Sequence, residues 1–477
     1  MFFQQLFEEK LAQYAYIIGC QKTGEAIVID PMRDVDRYKA FAAKHNLKLV
    51  AAAETHIHAD YLSGMRELAS QGVQIFLSDE GDADWKYEWA IGSDYSYQLL
   101  KDGNTFHIGN IRFKAVHSPG HTPEHISYLV HDTANTEEPM GILSGDFVFV
   151  GDVGRPDLLE TAAGMEGVME DSARVLYASL DKFKDLPDYL QVWPGHGAGS
   201  ACGKALGAVP DSTVGYEKRF NGSIRAAITE QDFVDFILDG QPEPPLYFAR
   251  MKRDNKIGPA ILGALPVPER MDVMTLKEAA NTPGSVIIDT RKDRVAFMNA
   301  HLKSSLYAPM NKSFNTIAGS YIEDDQDIYL VISEDQVEEA VLDLIRIGLD
   351  RVKGFVTPDA FDEYVKNGGE TERVAKVTFK EVESILDNED STVLDVRKAT
   401  EYAEGHAPGA LNMAHTRLKA GLEQLPMNTT LYVHCKSGAR AAAASALLAR
   451  EGFNVRYVND LVEPWLAASA FETVVKP

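Results

Sequence analysis

Short apolar runs bounded by turn residues, alternating with stretches of helical spacing, set the pattern of this chain. QYAYIIG (13–19), EAIVID (25–30) and LKLVAAAE (47–54) are apolar enough to be strands with both faces covered. Between the last two, VDRYKAFAAKH (35–45) spaces its apolar residues as one face of a helix. IRFKAVHS, HISYLV and MGILSGD read as further strands, GVMEDSARVLYASLDKF (167–183) as a helix, and YLQVWPG (189–195) as a strand again. Polar residues of metal-ligand type follow strand after strand, the way a sheet presents a site at its strand ends.

Two Pro-rich segments come next, QPEPPLYF (241–248) and ALPVPERM (264–271). Proline cannot continue a helix or a central ladder, so the second predicts a boundary that closes a first module at residues 1–265. Beyond it the chain repeats itself. SVIIDTRKDRVAFMNAHLKSSLYAPM (285–310) matches STVLDVRKATEYAEGHAPGALNMAH (391–415). Each copy is a buried-type strand ending in Asp–x–Arg, then a helix with an aromatic residue, then His and a small-residue turn. IYLVISEDQVEEAVLDLIRIG (328–348) likewise matches LYVHCKSGARAAAASALLAREG (431–452). This predicts modules at 272–365 and 376–477, joined by a polar linker, VKNGGETERVAK (365–376).

Composition narrows the picture. With 477 residues, about three domains are expected. Lys and Arg number 47 against 71 Asp and Glu, so the net charge of −24 excludes nucleic acid and anionic membrane surfaces as main partners. Three cysteines, Cys20, Cys202 and Cys435, form no disulfide framework and suit a reducing cytoplasm. No apolar run reaches the ~18 residues of a membrane span, and the N-terminal segment lacks the pattern of a signal peptide. A cytoplasmic enzyme is the expectation.

Nine of the thirteen histidines precede residue 200. Thr55-His56-Ile57-His58-Ala59-Asp60-Tyr61 is followed by Ser118-Pro119-Gly120-His121, by Ser144-Gly145-Asp146, and by Pro194-Gly195-His196. Two His and an Asp on one loop, joined by ligands from three other strand ends, can converge on one cation. Imidazole and carboxylate suit Zn or Fe. Near the other end, Cys435-Lys436-Ser437-Gly438-Ala439-Arg440 lies between a strand and an Ala-rich helix. Backbone N–H groups and the helix dipole there favour a thiolate and would stabilise a persulfide.

The four His and Asp segments, in this order, resemble the metallo-β-lactamase fold over residues 1–250. The CxxGxR loop, with Asp395-Val396-Arg397 and EGHAPGALN, resembles the rhodaneses over residues 378–477. Together they resemble the bacterial persulfide dioxygenase–rhodanese fusion enzymes of sulfide detoxification. The resemblance implies an α/β protein: an N-terminal αββα sandwich followed by two rhodanese-like α/β domains. Dinuclear zinc hydrolases of the fold read HxHxDH, whereas here Tyr61 takes the sixth position. The resemblance to the mononuclear branch implies one Fe(II) per chain, held by His56, His121 and Asp146, with His58, Asp60 and His196 orienting the ligands. It implies oxidation of a low-molecular-weight persulfide (of glutathione, coenzyme A, bacillithiol or similar) by O2 to sulfite. Sulfur transfer through Cys435, with Arg440 binding the sulfur anion or closing the loop, then gives thiosulfate.

Cys202, in the Gly-rich GHGAGSACGK, matches a stretch of those fusion enzymes in which a Cys handles persulfide; the glycines equally allow a turn without catalytic duty. Lys204 beside it is expected to favour the thiolate. Arg155, Lys204 and Lys436 are the basic residues available to capture an anionic persulfide, and Arg155 and Asp157 equally suit a structural pair. Cys20 is expected to serve packing. The first repeat copy has Ser333 or a neighbour where the second has Cys435, followed by Glu334-Asp335-Gln336 in a loop about two residues shorter; it reads as an inactive module. A homo-oligomer is expected, with that module as spacer or interface. The rival readings are a glyoxalase II-like zinc thioester hydrolase and a sulfur-carrier adaptor using only the rhodanese module.

Overall fold

The computed structural model describes residues 1–161, 167–386 and 388–468. Residues 469–477, the end of the expected third module, lie outside them. The chain folds as two compact units. One takes Met1–Ala264 with Ile345–Gly348, the other Leu265–Leu344 with the chain from Leu349 onward.

The first unit is built on two six-stranded sheets. In one, the strands from Phe2–Glu8 to Tyr97–Leu100 lie in chain order, the first three antiparallel and the rest parallel. In the other, the strands from Thr105–Ile108 to Ser212–Thr213 also follow chain order, with Gly141–Gly145 and Gln191–Pro194 parallel. The inner faces of both sheets supply one apolar core, including Ile18, Ile29, Phe76, Phe106, Phe113, Tyr128 and Trp193. Phe76 and Phe106 stack across it at 3.8 Å between centroids. Side chains from the helices Asp36–Lys44 and Met65–Ser70 cover the outer face of the first sheet. Those of Met169–Lys184 and Glu230–Leu238 cover the second. This is the αββα sandwich expected from the resemblance.

The strands explain themselves. Gln13–Cys20, Ile126–Asp132 and Gly141–Gly145 are buried along their whole lengths, so they read as continuous apolar runs rather than alternations. In Met169–Lys184 the buried residues Ala173, Leu176, Leu180 and Phe183 recur at three and four, and acidic residues in the first turn and lysines in the last complement the helix dipole.

The second unit holds two five-stranded, all-parallel sheets of the same strand arrangement. In both, the Asp–x–Arg motif closes a two-pronged pair: Arg291 Nη2–Asp289 Oδ2 at 2.7 Å and Arg397 Nη2–Asp395 Oδ2 at 2.5 Å. Each Arg also reaches a carbonyl of the following segment, Ala300 and Gly405 respectively, at 2.8 Å. The repeat is therefore one fold twice. The segment expected as a free polar linker is partly tied down. Glu372 and His301 exchange backbone hydrogen bonds, Val374 is buried, and Ala375–Val377 is already an edge strand. The Gly and charge content marks its surface, not its pairing. Among the described residues, no helix is long and apolar enough to cross a membrane.

The strand Lys48–Ala53 carries Ala51 and Ala53, buried in the core between the sheets, and Ala52, buried in the core under the outer helices. Ala53→Leu should overpack the inter-sheet core and cost about 1–3 kcal/mol. The check is the thermal midpoint of the purified variant, which should fall; a midpoint equal to wild type would show slack in that core.

Candidate functional site

The loops leaving these strands bring His56, His121 and Asp146 together, with one ligand-type atom of each within 4.8 Å of the others. Asp60, His196 and Cys202 form a second such group beside them. The His56 and His121 Nε2 atoms lie 3.9 and 3.4 Å from Asp146 Oδ2, and His196 Nε2 lies 3.3 Å from Asp60 Oδ2 and 3.5 Å from Asp146 Oδ2.

Each imidazole is set from behind. His121 Nδ1 donates to the Arg155 carbonyl at 3.0 Å and His196 Nδ1 to the Ala12 carbonyl at 3.2 Å. The Thr55 hydroxyl donates to Asp30 Oδ2 at 3.0 Å, which leaves it to accept from His56 Nδ1 at 2.9 Å. With Nδ1 engaged behind, each ring turns its Nε2 toward the centre, and His56 and His121, kept neutral by burial, offer lone pairs there. They point at carboxylates whose four oxygens accept no hydrogen bond. Acceptors facing acceptors in a buried site call for a cation. The set fits one: burial pushes the His56 and His121 pKa values down and keeps the rings neutral, as metal ligation requires.

Asp30 organises this side and carried no signal of its own beyond ending the EAIVID strand. Its carboxylate accepts the Thr55 N–H at 2.7 Å and lies 3.3 Å from His58 Nε2. It sits at φ 50°, a conformation non-glycine residues rarely adopt. The Tyr61 hydroxyl lies 2.9 Å from His58 Nε2 and 3.1 Å from Gln13 Nε2. Burial raises the phenol well above its usual range, so it stays neutral. His58 thus faces Asp30 and Tyr61 with Nε2, while its Nδ1 has no protein partner. His125 was also missed: its Nε2 accepts the Asp146 N–H at 3.1 Å and fixes that backbone. Opposite, a Cβ on Gly154 would lie 1.8 Å from the Asp146 carbonyl oxygen, so only glycine fits there.

The three basic residues expected to capture substrate are engaged elsewhere. Arg155 forms a two-pronged pair with Asp157, at 3.0 and 2.6 Å, and reaches the carbonyls of Ala201 and Pro242. Lys204 Nζ lies on the carbonyls of Phe236 and Asp239, in the last turn and at the C-cap of the helix Glu230–Leu238. It is therefore not placed to favour a Cys202 thiolate. Burial, and then Asp60 and Asp146, push that thiol well up. Lys436 is exposed, 2.9 Å from Glu463. Cys20 is buried; although burial raises its thiol, hydrogen bonds from Asn110 and Thr23 bring it to about 7.

Cys435 is buried, and the Ala441 N–H at the start of the helix Ala439–Arg450 reaches its Sγ at 3.4 Å. Arg440 is clasped by Glu401 at 2.5 and 2.8 Å. Burial opposes its charge, but Glu401 and Cys435 raise its pKa. In the other module, the register that pairs Asp395 with His434 pairs Asp289 with Val331, so Ile332, next to Ser333, stands where Cys435 does. Only Ile332 and Ser333 separate strand from first helical turn there, against Cys435–Gly438 here.

Residues 9–196 match the metallo-beta-lactamase superfamily and residues 378–468 the rhodanese-like domain. The solved structure of a metallo-beta-lactamase from Staphylococcus aureus subsp. aureus COL is 38% identical, with a TM-score of 0.66, over 75% of this chain and 98% of that one. The mitochondrial persulfide dioxygenase ETHE1 of Bos taurus is 28% identical over 40% of this chain and 67% of its own. A hydroxyacylglutathione hydrolase of Glaesserella parasuis is 28% identical over 38% of this chain and 65% of its own. The chain thus spans about two thirds of the length of these curated relatives, and 61% of a Beta-lactamase hydrolase-like protein of Xylella fastidiosa.

Glu124 gives a pH test of the loop architecture. It is buried, its Oε1 accepts the Ile57 N–H at 2.7 Å, and burial raises its carboxyl from 4.5 to about 7. A raised carboxyl adds stability that is present below about pH 4.5 and lost as pH rises through about 7. Glu124→Gln keeps the acceptor and removes the titration. It should flatten the fall of the thermal midpoint between pH 4.5 and 7.5, by on the order of 2 kcal/mol. Identical pH profiles for variant and wild type would contradict the assignment.

Proposed function

From a chain that belongs to the metallo-β-lactamase superfamily and carries a C-terminal rhodanese-like domain, we infer a persulfide dioxygenase coupled to a sulfurtransferase. The donor set carries this reading: two neutral imidazoles and one carboxylate, with Tyr61 where the dinuclear hydrolases have a further His. Two His and one carboxylate form the facial set of non-haem Fe(II) oxygenases. Fe(II), when bound by His56, His121 and Asp146, supplies open positions for an anionic sulfur and O2 and the electrons that activate O2.

The protein does the rest. Thr55 and the Arg155 and Ala12 carbonyls hold the rings of His56, His121 and His196 in one tautomer. Burial excludes bulk water, and Cys202, kept as a thiol, holds a proton at the edge of the centre. The substrate is a low-molecular-weight thiol persulfide, which with O2 and water gives the thiol and sulfite. In the second unit the Cys435 thiolate attacks the outer sulfur of another persulfide. The S–S bond breaks, the thiol leaves, and Cys435 carries the sulfane sulfur. Sulfite attacks that sulfur, thiosulfate departs, and the thiolate returns. Joining both steps in one chain raises effective concentration and limits loss of sulfite.

A second reading, a metal-dependent thioester hydrolase, is favoured by one observation: Asp60, His196 and Cys202 offer a second cation position beside the first. Oxygen consumption separates the two. Adding glutathione persulfide or coenzyme A persulfide to iron-loaded protein should consume O2 and yield thiosulfate. In Cys435→Ser, O2 consumption should persist while the product shifts to sulfite. A zinc-loaded protein that cleaves a glutathione thioester and takes up no O2 would overturn the proposal, and an unchanged thiosulfate yield in Cys435→Ser would remove Cys435 from it.

A further inference from the structure

The Cys435 loop is braced from two sides, and one of the braces draws on the other module. From its own module, the helix Ala399–Glu404 supplies Glu401 to Arg440. The matching helix of the silent module, Arg294–Asn299, supplies Arg294, which reaches across to the loop of the other module. Its Nη2 donates to the Ser437 carbonyl at 2.9 Å and its Nε to Asn459 Oδ1 at 3.0 Å. The Tyr457 hydroxyl bridges Asn459 Oδ1 at 2.8 Å and the Gly438 carbonyl at 3.1 Å.

Peptide planarity turns these contacts into a statement about the sulfur. In a trans peptide the C=O and N–H point opposite ways. Drawing the Ser437 carbonyl out to Arg294 aims the Gly438 N–H to the other side, and drawing the Gly438 carbonyl to Tyr457 does the same for the Ala439 N–H. Gly438 itself stands at φ 89°, and a Cβ there would meet Asn459 Oδ1 and Tyr457 Oη at 2.8 Å and Arg294 Nε at 3.5 Å. The loop is thus pressed into one shape by this side-chain trio. Placement of the cation has a cost of its own, because Arg294 is the first residue of a helix, where the dipole disfavours positive charge. Its hydrogen bonds across the module boundary offset that.

We propose that Arg294 is a positioning residue for the sulfur-transfer loop, and that the silent module is a structural cofactor of the active one: it holds the Ser437 peptide so that the loop amides face the sulfur carried on Cys435. This rests on the sulfurtransferase reading of Cys435. It gives the duplicated module a task that does not need a reactive residue of its own.

The test uses full-length protein and follows Cys435 by peptide mass spectrometry, independently of any metal chemistry. Arg294→Ala should lower kcat for sulfane-sulfur transfer from glutathione persulfide to sulfite about tenfold, the size of one lost charge-assisted hydrogen bond. KM should change little. The midpoint of the pH profile for Cys435 alkylation by iodoacetamide should move upward. Arg294→Lys, which keeps the charge and one donor, should recover part of both effects, and Tyr457→Phe should show a smaller shift in the same direction. If Arg294→Ala fails to fold, the Lys and Phe variants carry the same comparison. Wild-type kcat and alkylation profile in the folded variants would overturn the proposal. Wild-type protein that takes no sulfur on Cys435 would instead refute the sulfurtransferase reading.

Discussion

Three imidazole rings turned toward two buried carboxylates are the constraint on which the first unit depends. Without a cation, the neutral rings of His56 and His121 present acceptors to Asp146, and like faces like in a dry site. Each ring is locked from behind by an acceptor, so none can turn to relieve this. The scaffold around it serves the same end. Asp30 accepts strain to tie Thr55 and His58 together, His125 pins the Asp146 amide, and Gly154 yields room for the Asp146 backbone. Buried charge of this kind is tolerated when a metal completes it.

The second unit shows the other way a buried site is kept in shape. The Asp–x–Arg pair is identical in both modules and is architectural, since it closes on its own backbone in each. The modules differ at the strand–helix loop, where Ile332 and an acidic turn stand in the place of Cys435 and the residues after it. Arg294 of the module without that cysteine hydrogen-bonds to the loop that carries it.

Much of this was legible in the sequence, and the failures have a common cause. Strand ends bearing His56, His121, Asp146 and His196 could be found because each follows an apolar run, and the CxxGxR loop because strand, thiol and helix are contiguous. The folded unit brings the Cys202 segment back to the same centre. Lys204 is near Cys202 in sequence but points to Phe236 and Asp239, while burial, and then Asp60 and Asp146, distant in sequence and close in space, push that thiol up. Asp30, His125 and Arg294 escaped notice for the same reason: the site groups they hold, Thr55 and His58, Asp146, and Ser437, lie more than 20 positions away and no local pattern marks them. The polar segment 365–376 misled in the opposite sense, since composition shows what meets water but not which backbone groups pair.

The central claim, that these acceptors converge to hold a metal, is tested most directly by anaerobic titration of metal-free protein with Fe(II), read by metal analysis and by the thermal midpoint. One Fe(II) per chain should bind and raise the midpoint, and Asp146→Asn should abolish both. Binding that survives Asp146→Asn, or wild-type protein that takes up no divalent cation, would contradict the account.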